Sequence, residues 1–248
     1  MASAYRRLTP PPIVEAVIGF GIRLHEPMDG PAFAKVSAEF KAKFPTAMLM
    51  RQRAVQMRFE PGEPELTTAS ESLRGVRFDN DAKDRVAMFA VDGFSFSRVN
   101  TYTDWSTFKS DALAAWNEYF NLAKPQEIVR VGLRYINRFE FDSPLELNEY
   151  FTAAPSLPPD LPQTILGPSH SQALFPLPDN LGVGSLTHAI NPTMGNEVNI
   201  ILDIDIYQEN TNFDPAKPAA WDLLDKFREH KNRVFFAAVT EKALEKFL

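Results

Sequence analysis

The sequence predicts an α+β protein made of two similar units, each ordered strand, helix, antiparallel strands, helix. The two join into one extended antiparallel sheet with helices packed on one side. Three observations carry this prediction. Two long segments, Ile13–Leu24 and Ile128–Phe141, alternate between apolar and polar residues as strands do. Each is followed by further strand-like segments. Each half also closes on a stretch with helical spacing. The order is thus given twice, an internal duplication with an extended arm over 1–12, a first unit over 13–125 and a second over 126–248, in one compact assembly.

In the arm, Pro10-Pro11-Pro12 locks the chain in an extended form and guards the edge it leads into. In the first strand Val14, Ala16, Ile18, Phe20, Ile22 and Leu24 share a face, and Gly19 and Gly21 lie opposite, where a bend or another backbone can approach. The period then changes. Phe33, Val36, Phe40 and Phe44 have helical spacing within 29–44, with Pro31 suited to the first turn and Pro45 ending the helix. Strands follow over 48–59, 75–80 and 85–102, the last split by the hairpin signal Val91-Asp92-Gly93-Phe94. A helix over 105–122 has Phe108, Leu113, Trp116 and Phe120 near one face, Asp104 or Ser106 as cap, and Pro125 beyond its end.

In the second unit Val131, Leu133, Tyr135, Phe139 and Phe141 share a face of the long strand. Ser143-Pro144-Leu145-Glu146 has the form of a capping box and predicts a short helix ending near Phe151. A proline-rich connection covers 155–168, and strands are expected over 172–176, 184–190 and 197–208 with a turn at Met194-Gly195-Asn196. The last helical region opens at Asp214-Pro215 and places Trp221, Leu224, Phe227 and Lys231 on one face. Thr240 caps a final helix over 241–248.

Composition narrows the function. Apolar residues make up 44% and charged residues 23%, the ordinary balance of a globular protein, and twenty phenylalanines point to aromatic cores. The lack of cysteine excludes disulfides, thiolate zinc sites and cysteine catalysis. The net charge of −6 disfavours a protein whose affinity comes from neutralising phosphates, so nucleic-acid binding is not expected. His25, His170, His188 and His230 are too widely spaced for a metal site. No apolar run has the length of a signal peptide core or a membrane span, so a cytoplasmic protein without metal, cofactor or membrane partner is expected.

The chemistry-bearing candidate is the arginine row of "RVGLRYINRFEF", where Arg130, Arg134 and Arg138 project from one face of a strand. Free, they would present guanidinium forks to an anion. In "NIILDIDIYQ" the polar face holds Asp203 and Asp205, which can meet those arginines as cross-strand pairs; Glu15, near Arg23, fits the same scheme. Carboxylates beside arginines stay ionised and make poor general acids. No phosphate-binding glycine loop, nucleophile elbow or dinucleotide fingerprint is present.

Three segments together, "LTPPPIVEAVIGFGIRL", "YTDWSTFKSDALAAW" with "VGLRYINRFEF", and "REHKNRVFFAAVTEKALEKF", resemble a sporadically distributed family of uncharacterised bacterial proteins of about this length. The family is marked by its Pro-Pro-Ile-Val-Glu-Ala start and Leu-Arg-Tyr-Ile-Asn-Arg centre. The resemblance spans nearly the whole chain and implies no catalytic residue; its patchy distribution implies horizontally moved genes and a conflict or stress role. The leading expectation is a non-enzymatic module that binds another protein, antitoxin-, immunity- or defence-accessory-like, with Arg130, Arg134, Arg138, Asp203 and Asp205 as its candidate binding residues. A homodimer through a strand edge or the last helix is a further option. The alternatives are an anionic small molecule held by the arginines, as ligand or substrate, and nucleic acid on a two-lobed sheet saddle.

Overall fold

A computed structural model of the chain describes residues 5–26, 28, 30–33, 35–58, 65–142, 147–153, 169–192 and 197–248. Its strands are β1 (Ile13–Arg23), β2 (Thr46–Arg58), β3 (Glu65–Asp79), β4 (Arg85–Ala90), β5 (Gly93–Val99), β6 (Glu127–Asp142), β7 (Ser169–Pro176), β8 (Val183–Pro192) and β9 (Glu197–Phe213). The helices are α1 (Gly30–Phe33), α2 (Ala38–Lys43), α3 (Trp105–Ala123), α4 (Ala219–Ala238) and α5 (Glu241–Leu244). All the described strands join one antiparallel sheet in the order β2-β3-β4-β5-β1-β6-β9-β8-β7. The α+β class and the large antiparallel sheet are as the sequence predicts.

Alternation decides which side of the sheet is dry. Ala16, Ile18, Phe20 and Ile22 of β1, Val131, Leu133, Tyr135 and Phe139 of β6, and Ile200 to Ile206 at every second position of β9 are buried under the helices. α3 lies over β5 and α4 over β6 and β9. The helices meet above β1, where the Phe20 ring packs edge-on against Trp116 of α3 (centroids 5.0 Å apart) and Trp221 of α4 (5.1 Å). No helix among the described residues packs on the polar face of the sheet.

Local sequence chemistry explains most boundaries. Asp104 caps α3, accepting from the Thr107 amide at 2.9 Å, and these bonds hold its carboxyl below the usual range. The Trp105 indole donates to Asp225 of α4 at 2.8 Å, tying the start of one helix to the other. The β4–β5 hairpin forms where the Asp-Gly signal predicts one, but its turn is Val91-Asp92, because Ala90 pairs with Gly93 and Gly93 already belongs to β5.

Other expectations need correction. The single helix over 29–44 is two short ones, because Ser37 stops the first path and starts another. Its hydroxyl caps the Phe40 amide at 3.1 Å and donates to Glu118 of α3 at 2.9 Å. Phe33, Val36, Phe40 and Phe44 are nevertheless all buried. The strand expected over 75–80 extends back to Glu65, where it pairs with β2 alone. α4 begins at Ala219 instead of at Asp214, whose carboxylate takes the Ala216 amide in a tight turn. The capping box over 143–146, the proline-rich 155–168 and the turn at 194–196 lie outside the described residues.

Candidate functional site

The five residues of the expected binding face do share the helix-free side of the β6–β9 pair, but they are not equivalent. Arg134 stands directly opposite Asp205 and binds the diagonal neighbour, Asp203. Its Nε reaches both carboxylate oxygens, at 2.9 and 3.1 Å, and a second guanidinium nitrogen completes the fork. Arg134 remains about half exposed (48%) while Asp203 is 14% exposed, so the pair is a rim feature that adds roughly 0–1 kcal/mol. Arg138 faces Ile201 and pairs with Glu140 at 3.2 Å, so the expectation that it meets an aspartate fails by register. Arg23 likewise takes Glu127, at 2.6 Å, in place of Glu15.

Arg130 is the least committed of the row. It lies 3.8 Å from Asp205 and 3.7 Å from Glu209, beyond hydrogen-bond distance, with its guanidinium over the Tyr207 ring at 4.8 Å. Burial pushes the Asp205 carboxyl up, against the pull of Arg130 and Arg134.

Between this row and β2–β5 the sheet surface sinks into an open depression of about 480 Å³. Its floor is glycine: Gly19 faces Gly132 across β1–β6, and Gly21 faces Gly93 across β1–β5. Met50 and Met88 line one side, and Arg74, Arg130 and Arg134 line it together with Asp92 and Asp205. Arg74 already pairs with Asp92 at 2.8 Å.

A second site was not expected from the sequence. On the helix side, the arm over 5–13 lies beside Arg228, Lys231 and Phe235 of α4, and the two line a half-open cavity of about 260 Å³. The arm is held by the Thr9 amide on the Phe247 carbonyl (2.9 Å), by Tyr5 stacked on Phe236 (4.9 Å) and by Arg6 paired with Glu241. Inside is Lys231, 8% exposed, its ammonium nitrogen 4.0 Å above the Tyr135 ring. Burial first, and then Arg228, pulls its pKa down from 10.5 to about 7. The Tyr135 hydroxyl donates to that of Tyr102 at 3.3 Å, and burial pushes both phenols up. The buried Asn137 donates to the Leu202 carbonyl at 3.0 Å. The signals were present in the sequence as two polar residues, Asn137 and Lys231, on otherwise apolar faces.

His188, by contrast, is a core residue. It is buried, packed edge-on against Phe151 at 5.8 Å, and burial lowers its pKa. No helix among the described residues is long and apolar enough to cross a membrane. No protein-family model matches this sequence, and no curated protein matches it.

Proposed function

We propose that this is a non-enzymatic protein-binding module whose partner docks on the helix-free face of the sheet. The observation that carries the reading is the glycine-floored depression on that face, ringed by charges that are already paired. A site for a small anion needs cations without internal partners, and Arg134, Arg138 and Arg74 each have one. A protein surface instead works with a pocket for one anchoring side chain inside a rim of satisfied polar groups. The methionines offer an adaptable apolar wall, and Arg130, 3.8 Å from Asp205 and 3.7 Å from Glu209, is the cation of the row that makes no hydrogen bond to its carboxylates. The partner that fits presents an apolar side chain with a carboxylate beside it. The resemblance to a sporadically distributed bacterial family is the reason to place such a module among antitoxin, immunity or defence-accessory proteins.

Gly19 provides the test. A Cβ there would meet only ordinary contacts, 3.8 Å to the Phe94 carbonyl oxygen and 4.0 Å to Ser95, so the backbone accepts a side chain at this position and Gly19→Trp directs an indole into the depression. The wild type should retain a stoichiometric partner from its native host. Gly19→Trp should lose it by at least about ten-fold in affinity, as expected for a blocked anchor pocket, while Lys226→Glu on α4 retains it. Equal capture by Gly19→Trp, or no stoichiometric partner, would refute the proposal.

The same proposal includes the internal duplication, which strand order and pairing support. β1 lies beside β5, then β4 and β3; β6 lies beside β9, then β8 and β7. Each half thus seats its first strand against its last. Placing Ile128-Val129 over Ile13-Val14 brings Leu133 onto Ile18, Tyr135 onto Phe20 and Arg138 onto Arg23. Ile18 and Leu133 are directly paired across β1–β6, as a two-fold axis between the strands requires. The same shift carries α3 onto α4, with Trp116 falling on Lys231. Thus the Phe20–Trp116 contact of the first half has become Tyr135 under Lys231 in the second.

A further inference from the structure

A lysine in the core of a helix–sheet interface needs a reason, since an ammonium taken from water without a partner is strongly disfavoured. The fold supplies only the face of the Tyr135 ring, 4.0 Å away. At the matching place in the first half, Trp116 fills the space with apolar contacts to Phe20, Phe94 and Tyr119. Lys231 makes no ion pair with any described residue, and neither does Arg228, one turn earlier on the same helix and also lining the cavity.

The walls divide into two parts. Tyr102, Trp105 and Phe235 are aromatic, with Ile13 and Leu8 adding aliphatic surface. The charged lining is Lys231 and Arg228 from α4, Arg6 and Arg7 from the arm, and one carboxylate, Asp104. Arg6 is spent on Glu241, and Asp104 is spent on capping α3, with Thr103 and Thr107 as its donors. Lys231 and Arg228 thus line a half-open space whose one carboxylate, Asp104, is already committed to the α3 cap. A volume of about 260 Å³ falls just below the roughly 300–1,000 Å³ of sites that take drug-sized molecules, so the occupant is small.

We propose that this cavity binds a small organic carboxylate, its acid group held between Lys231 and Arg228 and its apolar body against the aromatic wall. The site is distinct from the docking face, because it lies on the opposite side of the sheet. Its anion would give Lys231 the ion pair it lacks among the described residues, beside an arm that already lines the cavity. Binding must then draw a proton onto Lys231 wherever the empty site holds it partly neutral, because a neighbouring anion favours the ammonium.

Benzoate and hexanoate are suitable probes, with benzamide as the uncharged control, titrated calorimetrically in Tris and in imidazole near about pH 7.5. At least one carboxylate should saturate below about 1 mM, and benzamide should bind at least about ten-fold more weakly. The difference in heat between the buffers should report uptake of on the order of half a proton per ligand. Lys231→Met and Arg228→Gln should each weaken binding by about ten-fold or more, in proteins whose melting shows them folded. Overturning results are equally definite: no saturation by either carboxylate up to about 10 mM, benzamide binding as well as benzoate, or variants that bind like the wild type. The docking assay with Gly19→Trp does not depend on these outcomes, so either proposal can fail alone.

Discussion

At about pH 6, Lys231→Met should be more stable than the wild type by about 2–4 kcal/mol, and the gain should fall steadily as the pH is raised towards 10. The cause is the buried ammonium. With 8% of its surface exposed and only the Tyr135 ring beneath it, the folded protein holds the Lys231 pKa down to about 7. In the unfolded chain it returns to about 10.4. Between those values the unfolded state binds more protons than the folded one, so wild-type stability rises with pH through that window. Below it the lysine is charged in both states and the full burial cost applies. Methionine keeps most of the volume and removes the charge, so the difference between the two proteins traces this one titration.

The neighbours of Lys231 leave that window clear. The other cations around it, Arg228 on α4 and Arg6 and Arg7 on the arm, are arginines, a side-chain type that does not titrate in this range. Burial raises Tyr102 and Tyr135 above 10, and the Asp104 carboxyl is held below its ordinary value by the α3 cap. His230, beside Lys231 in the chain, is lowered by burial and titrates below the window. Urea unfolding at a series of pH values in carboxylate-free buffer measures the difference. A pH-independent gap between the two proteins, or a less stable methionine variant at low pH, would contradict the buried-ammonium account.

How much of this was legible before the structure depends on which residues carry it. Period-two alternation marks the buried faces of β1, β6 and β9 residue by residue, since a strand's side chains can only alternate. The β4–β5 hairpin was equally plain, although its turn falls at Val91-Asp92, one residue before the Asp-Gly pair that signals it. Alternation also put Asp203 and Asp205 on a face that could meet the arginines. It could not say that Arg134 takes the diagonal Asp203 or that Arg138 falls opposite Ile201, because register is decided by neighbouring strands and bulges. The break at Ser37 was hidden for a related reason. Two short helices in succession bury Phe33, Val36, Phe40 and Phe44 just as one continuous helix would. Lys231 was visible beside Phe227 on the apolar face of its helix, and Asn137 lies between Tyr135 and Phe139. Each alone reads as an isolated exception. Only the packing of α4 over β6 turns the pair into a cavity.

Phe20→Ala should cost about 3–5 kcal/mol and lower the melting temperature by about 10–15 °C, among the largest effects a single core truncation has in a chain of this size. Phe20 is buried on β1, in the first half, yet it is where the helices of both halves converge. Its ring meets Trp116 of α3 at 5.0 Å and Trp221 of α4 at 5.1 Å, both edge-on, and stacks near Phe94 of β5 at 6.2 Å. An alanine would leave a cavity bounded by two indoles that cannot collapse into it, because each is held by its own helix. The consequence extends beyond stability. If the halves shared only the β1–β6 ladder, the first would melt early and the second would persist. With one aromatic core spanning both, Phe20→Ala should unfold in a single transition with an unchanged urea m-value, since the same surface is exposed at once. Tryptophan fluorescence and far-UV circular dichroism recorded on the same samples distinguish the outcomes. A two-step melt, with Trp116 exposed ahead of Trp221, would mean that the two halves of the sheet remain separate folding units joined only by β1 and β6.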